Sequence, residues 1–157
     1  MSIEEIKAIP VQELAEDKCI LFLWCTNSHL HEAFHVLEAW GFHYKTVMTW
    51  IKTTNGDGVY LGVGNWLRNN TEQILVAVKG RPIVNLTNQT TAFTSTAEKG
   101  NHSKKPDTLY QTVESLCPQT NRLDMFARVK RDGWDAYGLV QTELAAFGMT
   151  SLSARRW

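Results

Sequence analysis

The sequence has few cysteines and no long apolar run, so it gives little sign of a disulfide framework, a cysteine metal site or a membrane span. Its three cysteines form no CxxC pair and are odd in number, which argues against a disulfide framework and a cysteine zinc site. The acidic N-terminus has no apolar run of signal-peptide length. The longest apolar run, Cys19–Cys25, is far shorter than the ~20 residues that span a bilayer. We therefore expect a soluble, cytoplasmic protein with no membrane contact.

An excess of one charge is also lacking. Lys plus Arg and Asp plus Glu number 16 each, so the formal net charge is zero. This balance argues against a protein that binds nucleic acid over its whole surface, although a local basic patch still attracts phosphate.

Apolar segments of strand length alternate with amphipathic segments, which predicts an α/β domain with a mainly parallel sheet over 1–157. Ser28–Trp40 carries apolar residues three and four apart and is followed by Gly41, which is typical of a helix and its end. A second helix follows Pro106, and short helical turns lie on either side of Pro10. The predicted strands are 19–25, 44–51, 73–80 and 122–128, with a last helix over 137–146.

Polar segments follow the predicted strands, at the edge where ligands bind in parallel sheets. They read TNSH, KTTNGDG, KGRP and ARVKRDGW, and three of the four contain Lys or Arg. The Gly- and Asn-rich stretch 53–70 is a long loop, and long loops in compact domains are usually functional or disordered. The stretch 87–100 is polar, without periodicity, and is predicted to be irregular.

The segment from His31 to His35 matches the zinc-peptidase pattern H-E-x-x-H, in which Glu32 would be the general base. Turning each residue by 100° places both histidines nearly opposite the apolar stripe that contains Leu37. We therefore favour a solvated His/Glu face over a metal site. Asp57 is the nearest downstream carboxylate that could add a third ligand, and it lies in the Gly-rich loop.

Three ordered blocks resemble a known enzyme family. They are SIEEIKAIPVQELAEDKCILFLWCTN, then EAWGFHYKTVMTWIKT with GNWLRNNTEQILVAVKGRP, then HSKKPDTLYQTVESLCPQTNRLDMFARVKRDGWDAYG. Together they are similar to the adenine-N6 methyltransferases that include the eukaryotic mRNA methyltransferase 70-kDa subunit and its bacterial and phage DNA relatives. The resemblance runs over 2–138 and leaves 139–157 as a C-terminal tail. It implies a Rossmann-like fold, S-adenosylmethionine as cofactor, and nucleic acid as substrate.

The resemblance places Lys105 and Arg128 at the cofactor. Arg128 follows a predicted strand, where a guanidinium can hold carboxylate or hydroxyl oxygens through two parallel bonds. Lys105 precedes the start of a helix, where the helix dipole disfavours a cation. We therefore expect Lys105 to bind an anionic ligand. Lys130 extends the positive patch, and His102 and Ser103 add polar groups to the same cofactor-binding loop.

On the substrate side, the resemblance places Glu72 and the loop after Lys52 beside the target base. Trp66 is the better candidate than Trp50 for stacking on an extruded base, because Trp66 lies in the loop and Trp50 lies in a strand. A salt bridge between Lys105 and Glu72 is the structural alternative to a ligand role for the lysine. We expect core packing for most of Trp24, Trp40, Trp50 and Phe126.

The sequence departs from the family in two places. Family members carry Asp-Pro-Pro-Trp before the first block, whereas the four prolines of this chain are never adjacent. After Gly138 the family has side chains that contact cofactor hydroxyls, and here Leu139 and Val140 stand instead, with Gln141 next. We expect a domain that is incomplete at its N-terminus: a truncated copy, part of a split enzyme, or a non-catalytic relative.

We accordingly expect methylation of adenine N6, with DNA favoured over RNA because the chain is compact and has no appended RNA-binding module. Catalytic residues are left unassigned, because the family motif is absent, and this chain alone is expected to have no more than trace activity. The alternative is a non-catalytic subunit that binds nucleic acid or a methyltransferase partner subunit.

Overall fold

The computed structural model describes residues 1–55, 58–85, 88–97, 105–127 and 129–138. The chain divides into two compact units, the first ending at Leu116 and the second beginning at Cys117. Within the described ranges, no helix is long and apolar enough to cross a membrane.

Two short helices open the first unit, as predicted: α1 (Ile3–Lys7) and α2 (Val11–Leu14). Ser2 begins α1 with a reciprocal pair of bonds, because its hydroxyl accepts from the Glu5 backbone N–H at 3.2 Å and its own N–H donates to the Glu5 carboxylate at 2.6 Å. Pro10 separates the two helices because it has no N–H to continue the first one.

The next elements are β1 (Cys19–Cys25), a 3₁₀ turn at Asn27–His29, α3 (Leu30–Ala39) and β2 (His43–Thr53). Gly41 has φ +77° and follows the end of α3, which confirms the predicted stop. The N-cap residue of α3 is His29, whose side chain makes no capping hydrogen bond. The amide of nearby Asn27 donates to Thr71 and accepts from Gln73, at 3.0 Å each.

β3 (Thr71–Lys79) and β4 (Ala92–Thr96) complete a four-stranded sheet in the order β1-β3-β2-β4. β3 is antiparallel to β1 and to β2, and only β4 lies parallel to its neighbour β2. The sheet is therefore mixed, and the prediction of a mainly parallel sheet is wrong for it.

The connection between β2 and β3 explains this difference. Neighbouring parallel strands need a crossover that returns the chain to the same edge, usually through a helix. The described residues between Thr53 and Thr71 contain no helix, so β3 starts at the edge where β2 ends and runs back beside it. The helix α3 does supply a crossover between β1 and β2, which run in the same direction on either side of β3.

β4 is a strand that the sequence analysis missed inside the polar stretch 87–100. Its side chains alternate between exposed and half-buried, with Phe93 and Ser95 facing inward. The β-branched threonines favour a strand, but only Phe93 among its five residues is large and apolar, so the alternation gives a weak signal.

The core of the first unit lies on both faces of the sheet. Ile74 and Leu75 are neighbours in β3 and each has 0% of its surface exposed. Since successive side chains of a strand point to opposite faces, both faces are covered at this strand. Trp40 and Trp50 are buried, as predicted, whereas Trp24 is only half-buried.

Helix α4 (Asp107–Leu116) ends the first unit, in agreement with the prediction of a helix after Pro106. The second unit contains two parallel strands, β5 (Leu123–Ala127) and β6 (Asp135–Gly138). The predicted helix over 137–146 is wrong at its start, because Tyr137 and Gly138 lie in β6, and residues 139–146 fall outside the described residues. Phe126 is 47% exposed at a β-bulge with φ +62°, so the expectation of core packing is wrong there.

Candidate functional site

Three strands bring their functional residues to one edge of the sheet. The register pairs Trp50 with Glu72 and Trp24 with Ile74, so β1 and β2 end where β3 begins. Residues that lie directly opposite each other, and residues two apart in one strand, share a face of the sheet. Trp24, Trp50, Lys52 and Glu72 therefore all lie on the same face.

Glu72 is the centre of this group. The residue is 7% exposed, and its two carboxylate oxygens accept from different lysines. Lys52 donates to Oε1 at 2.6 Å, and Lys105, just before α4, donates to Oε2 at 2.7 Å. The three side chains carry formal charges of +1, +1 and −1, which leaves a net +1 at a mostly buried position.

Each lysine also lies over a tryptophan. Lys105 Nζ is 4.5 Å from the centroid of the Trp24 ring, and Lys52 Nζ is 4.9 Å from that of Trp50. The two rings meet edge to face, with centroids 5.9 Å apart. We call these five residues the Glu72 cluster: Trp24, Trp50, Lys52, Glu72 and Lys105.

The cluster keeps Glu72 ionised. Burial by itself raises the pKa of the Glu72 carboxyl, but hydrogen bonds and attraction from Lys105 and Lys52 outweigh burial and lower that pKa below its usual value. Glu72 is therefore an anionic hydrogen-bond acceptor at neutral pH and a weak base. A carboxylate offers about four lone-pair positions, so it can accept a further hydrogen bond beside those from the lysines.

Cys25 follows Trp24 at the end of β1 and points to the other face of the sheet. Burial, and secondly the Glu72 charge, raise the pKa of its thiol to about 11. The thiol therefore stays protonated and unreactive at neutral pH.

The structure brings some of the predicted site residues together. Lys52, Glu72 and Lys105 meet in the Glu72 cluster, and the salt bridge between Lys105 and Glu72, which sequence analysis gave as the alternative to a ligand role, is present. The contact of Trp24 with Lys105 was not predicted, because a tryptophan in an apolar strand is typical of core packing. Lys130 is exposed in the second unit. His102, Ser103 and Arg128 lie outside the described residues, so their cofactor roles stay predictions.

Trp66 lies on the long loop and is 98% exposed. Over residues 58–70 the loop makes hydrogen bonds within itself: Gly62 N donates to Asn69 O at 3.0 Å, and the Asn69 amide donates to Val63 O at 2.9 Å. It nevertheless presents large apolar side chains to solvent: Val59, Leu61, Val63, Trp66 and Leu67.

His31 and His35 lie on the exposed face of α3, as the helical spacing predicted, with ring centroids 4.6 Å apart. Val36 and Leu37 occupy its buried face. Among the described residues, no third ligand joins the two histidines. Asp57, the candidate third ligand, lies outside those residues.

Comparison with known proteins identifies the family. The MT-A70 family model matches residues 1–140. A rice protein named probable N(6)-adenosine-methyltransferase MT-A70-like is 32% identical over 142 residues, which are 88% of this chain and 20% of the rice protein. The type II methyltransferase M.MunI of a Mycoplasma species is 29% identical over 140 residues, or 88% of this chain and 58% of M.MunI.

Human METTL3, named the catalytic subunit of an N(6)-adenosine-methyltransferase, is 29% identical over 127 residues, which cover 80% of this chain and 22% of METTL3. The chain thus spans a fifth to about three fifths of the length of these relatives. The match of the family model to nearly the whole chain agrees with the three ordered sequence blocks. The chain belongs to the MT-A70 family.

Proposed function

We propose that the chain forms part of an S-adenosylmethionine-dependent methyltransferase that modifies the N6 atom of adenine in nucleic acid. The observation that carries the proposal is the Glu72 cluster, which combines an ionised acceptor with a lysine that has donors to spare, in a chain of the MT-A70 family. Its relatives are named for N(6)-adenosine methylation and for type II methyltransferase activity.

The described residues fit the cofactor through Lys105. Its ammonium group has three N–H donors, and Glu72 accepts from one of them. A remaining donor can hold a carboxylate or hydroxyl oxygen of S-adenosylmethionine, and the net positive charge of the cluster favours the carboxylate. Arg128, His102, Ser103 and Lys130 are proposed to add further contacts.

When bound, the cofactor would supply an activated methyl group: its carbon–sulfur bond would break as the bond to N6 forms, leaving S-adenosylhomocysteine, and N6 would lose a proton to water. Because Glu72 is ionised and has free lone pairs, we propose that it accepts a hydrogen bond from the adenine amino group and orients its nitrogen. Lys52 holds the other side of the carboxylate and restricts its rotation. Orientation of this kind is worth roughly 7–11 kcal/mol of barrier in favourable cases.

Nucleic acid is the proposed substrate, with DNA favoured over RNA. Trp66 supports contact with nucleic acid because a fully exposed indole offers a face on which a base can stack. The test incubates the chain with labelled S-adenosylmethionine and with adenine-containing DNA or RNA, and quantifies N6-methylated nucleosides by mass spectrometry. The same assay is repeated with the upstream reading frame joined to the chain.

Glu72→Gln and Lys105→Met should reduce the N6-methylated product of whichever of the two proteins is active. Methylation at another position of the base, or activity that is indifferent to both substitutions, would contradict the proposal. The control is Glu4→Gln, which changes an exposed carboxylate of α1.

The second candidate is a non-catalytic subunit that binds a methyltransferase partner. It is favoured by the exposed apolar side chains of the loop, since exposed apolar patches often mark protein interfaces. Absence of product from both proteins, with cofactor binding retained, would support this candidate.

A further inference from the structure

We propose that Trp24 is a positioning residue for Lys105, and that it tunes cofactor affinity without touching the cofactor. The effect on cofactor affinity rests on the proposed function, whereas the contact between Trp24 and Lys105 rests only on the geometry of the Glu72 cluster. The position of Trp24 in an apolar strand by itself suggests core packing.

A lysine side chain keeps much of its conformational freedom when one salt bridge holds it. Its four-carbon stem is flexible, and a single salt bridge fixes the distance of the ammonium from the carboxylate but not its direction. Among the described residues, Lys105 has one such bridge, to Glu72 Oε2, and that carboxylate is shared with Lys52. A second contact is needed to set the direction in which the remaining N–H donors point.

The Trp24 ring supplies that contact. The ammonium lies 4.5 Å from the ring centroid, well within the range of a cation–π interaction. The ring itself is held by its edge-to-face contact with Trp50, whose indole N–H donates to Ser95 O at 3.4 Å. Trp50 is buried, so Trp24 rests on a fixed support while remaining half-buried itself.

Two readouts separate positioning from simple packing. The first needs no cofactor. In NMR spectra of protein with isotope-labelled lysine, the ring current of Trp24 should shift the methylene protons next to Lys105 Nζ upfield. The signal is assigned by its loss in Lys105→Met, and the upfield shift should disappear in Trp24→Leu but persist in Trp24→Phe. A wild-type Lys105 signal at the position of exposed lysines would overturn the inference, whatever the chain binds.

The second readout is a double-mutant cycle in which calorimetry measures the affinity for S-adenosylhomocysteine. Trp24→Leu should weaken binding by about 5- to 30-fold, the range expected for a partly desolvated cation–π contact, and Trp24→Phe by less. In the Lys105→Met background, Trp24→Leu should have no further effect, because the residue through which it acts is gone. Equal weakening in both backgrounds would overturn the inference.

Tyr44→Leu is the matched control, since it removes another aromatic pair, with Phe34, outside the Glu72 cluster. It should leave both readouts unchanged. If the wild-type chain shows the upfield Lys105 signal but binds no S-adenosylhomocysteine, the proposed cofactor role fails while the positioning contact stands. If Trp24→Leu does not fold, the comparison of Trp24→Phe with wild type decides the ring-current test.

Discussion

Replacing Glu72 by Gln tests the electrostatic reasoning about the Glu72 cluster. The substitution keeps the shape of the side chain but removes the only negative charge among the three ionised groups of the cluster, and leaves two ammonium groups close together. Breaking a buried ion pair by removing one partner costs about 3–5 kcal/mol in fully buried cases. The lysines here keep 17% and 27% exposure. We therefore expect a loss of about 2–3 kcal/mol in the free energy of unfolding.

The effect should depend on pH with a definite sign. The folded state lowers the pKa of Glu72, so its carboxylate stabilises the fold fully above the ordinary glutamate pKa of about 4.3. This contribution is lost as pH falls through the lower pKa of the folded protein. The difference in stability between wild type and Glu72→Gln should therefore be constant from pH 6 to 8 and shrink below about pH 4.

The assay is urea unfolding of both proteins at a series of pH values. The matched control is Glu4→Gln, which breaks an exposed pair with Lys7 whose carboxylate is 80% exposed, and should cost no more than about 0.5 kcal/mol. If Glu72→Gln costs no more than Glu4→Gln at pH 7, or if its cost does not fall in acid, the description of Glu72 as a buried, doubly paired anion is wrong.

Further predictions concern single residues. The alkylation rate of Cys25 should keep rising about tenfold per pH unit up to pH 10, and levelling near 8.5 would contradict its raised pKa. Trp66→Ala should change the free energy of unfolding by less than about 0.5 kcal/mol. It should weaken binding of an adenine-containing single strand by roughly 5- to 100-fold, which a filter-binding titration measures, and unchanged affinity would exclude stacking. Gly41→Ala should destabilise by about 1–2 kcal/mol in thermal unfolding, since φ is +77° but space is available, and a neutral effect would contradict the left-handed backbone.

Local patterns predicted most elements of the fold but not the direction of the strands. The apolar run at Cys19–Cys25 and the helical spacing of apolar residues in α3 are local features of the sequence. The strand and the helix that they predict are both present. Strand direction depends on what connects two strands. The absence of a helical pattern between β2 and β3 was visible in the Gly-rich loop, and it implied antiparallel pairing, although alternation of strands and helices elsewhere favoured a parallel sheet.

The sequence predicted the residue types of the site and one contact, the salt bridge between Lys105 and Glu72, but not the cluster as a whole. Family resemblance gave Lys52, Glu72 and Lys105 separate roles at the base and at the cofactor, whereas the structure joins them through one carboxylate. That joint arrangement depends on the register that sets Glu72 opposite Trp50 and on the start of α4. Register and helix position are long-range properties, so no local pattern reports that Trp24 lies under a lysine.

The proposed cofactor role of the Glu72 cluster is tested most directly by finding where S-adenosylhomocysteine binds. Its titration into isotope-labelled protein can be followed through the indole N–H signals of the tryptophans, assigned by Trp→Phe substitutions. We expect saturable shifts of the Trp24 and Trp50 signals and little change for Trp40, whose indole N–H donates to Ile6 O at 3.1 Å. Absence of saturable shifts, or shifts confined to tryptophans outside the Glu72 cluster, would contradict the assignment of this cluster as the cofactor end of the site.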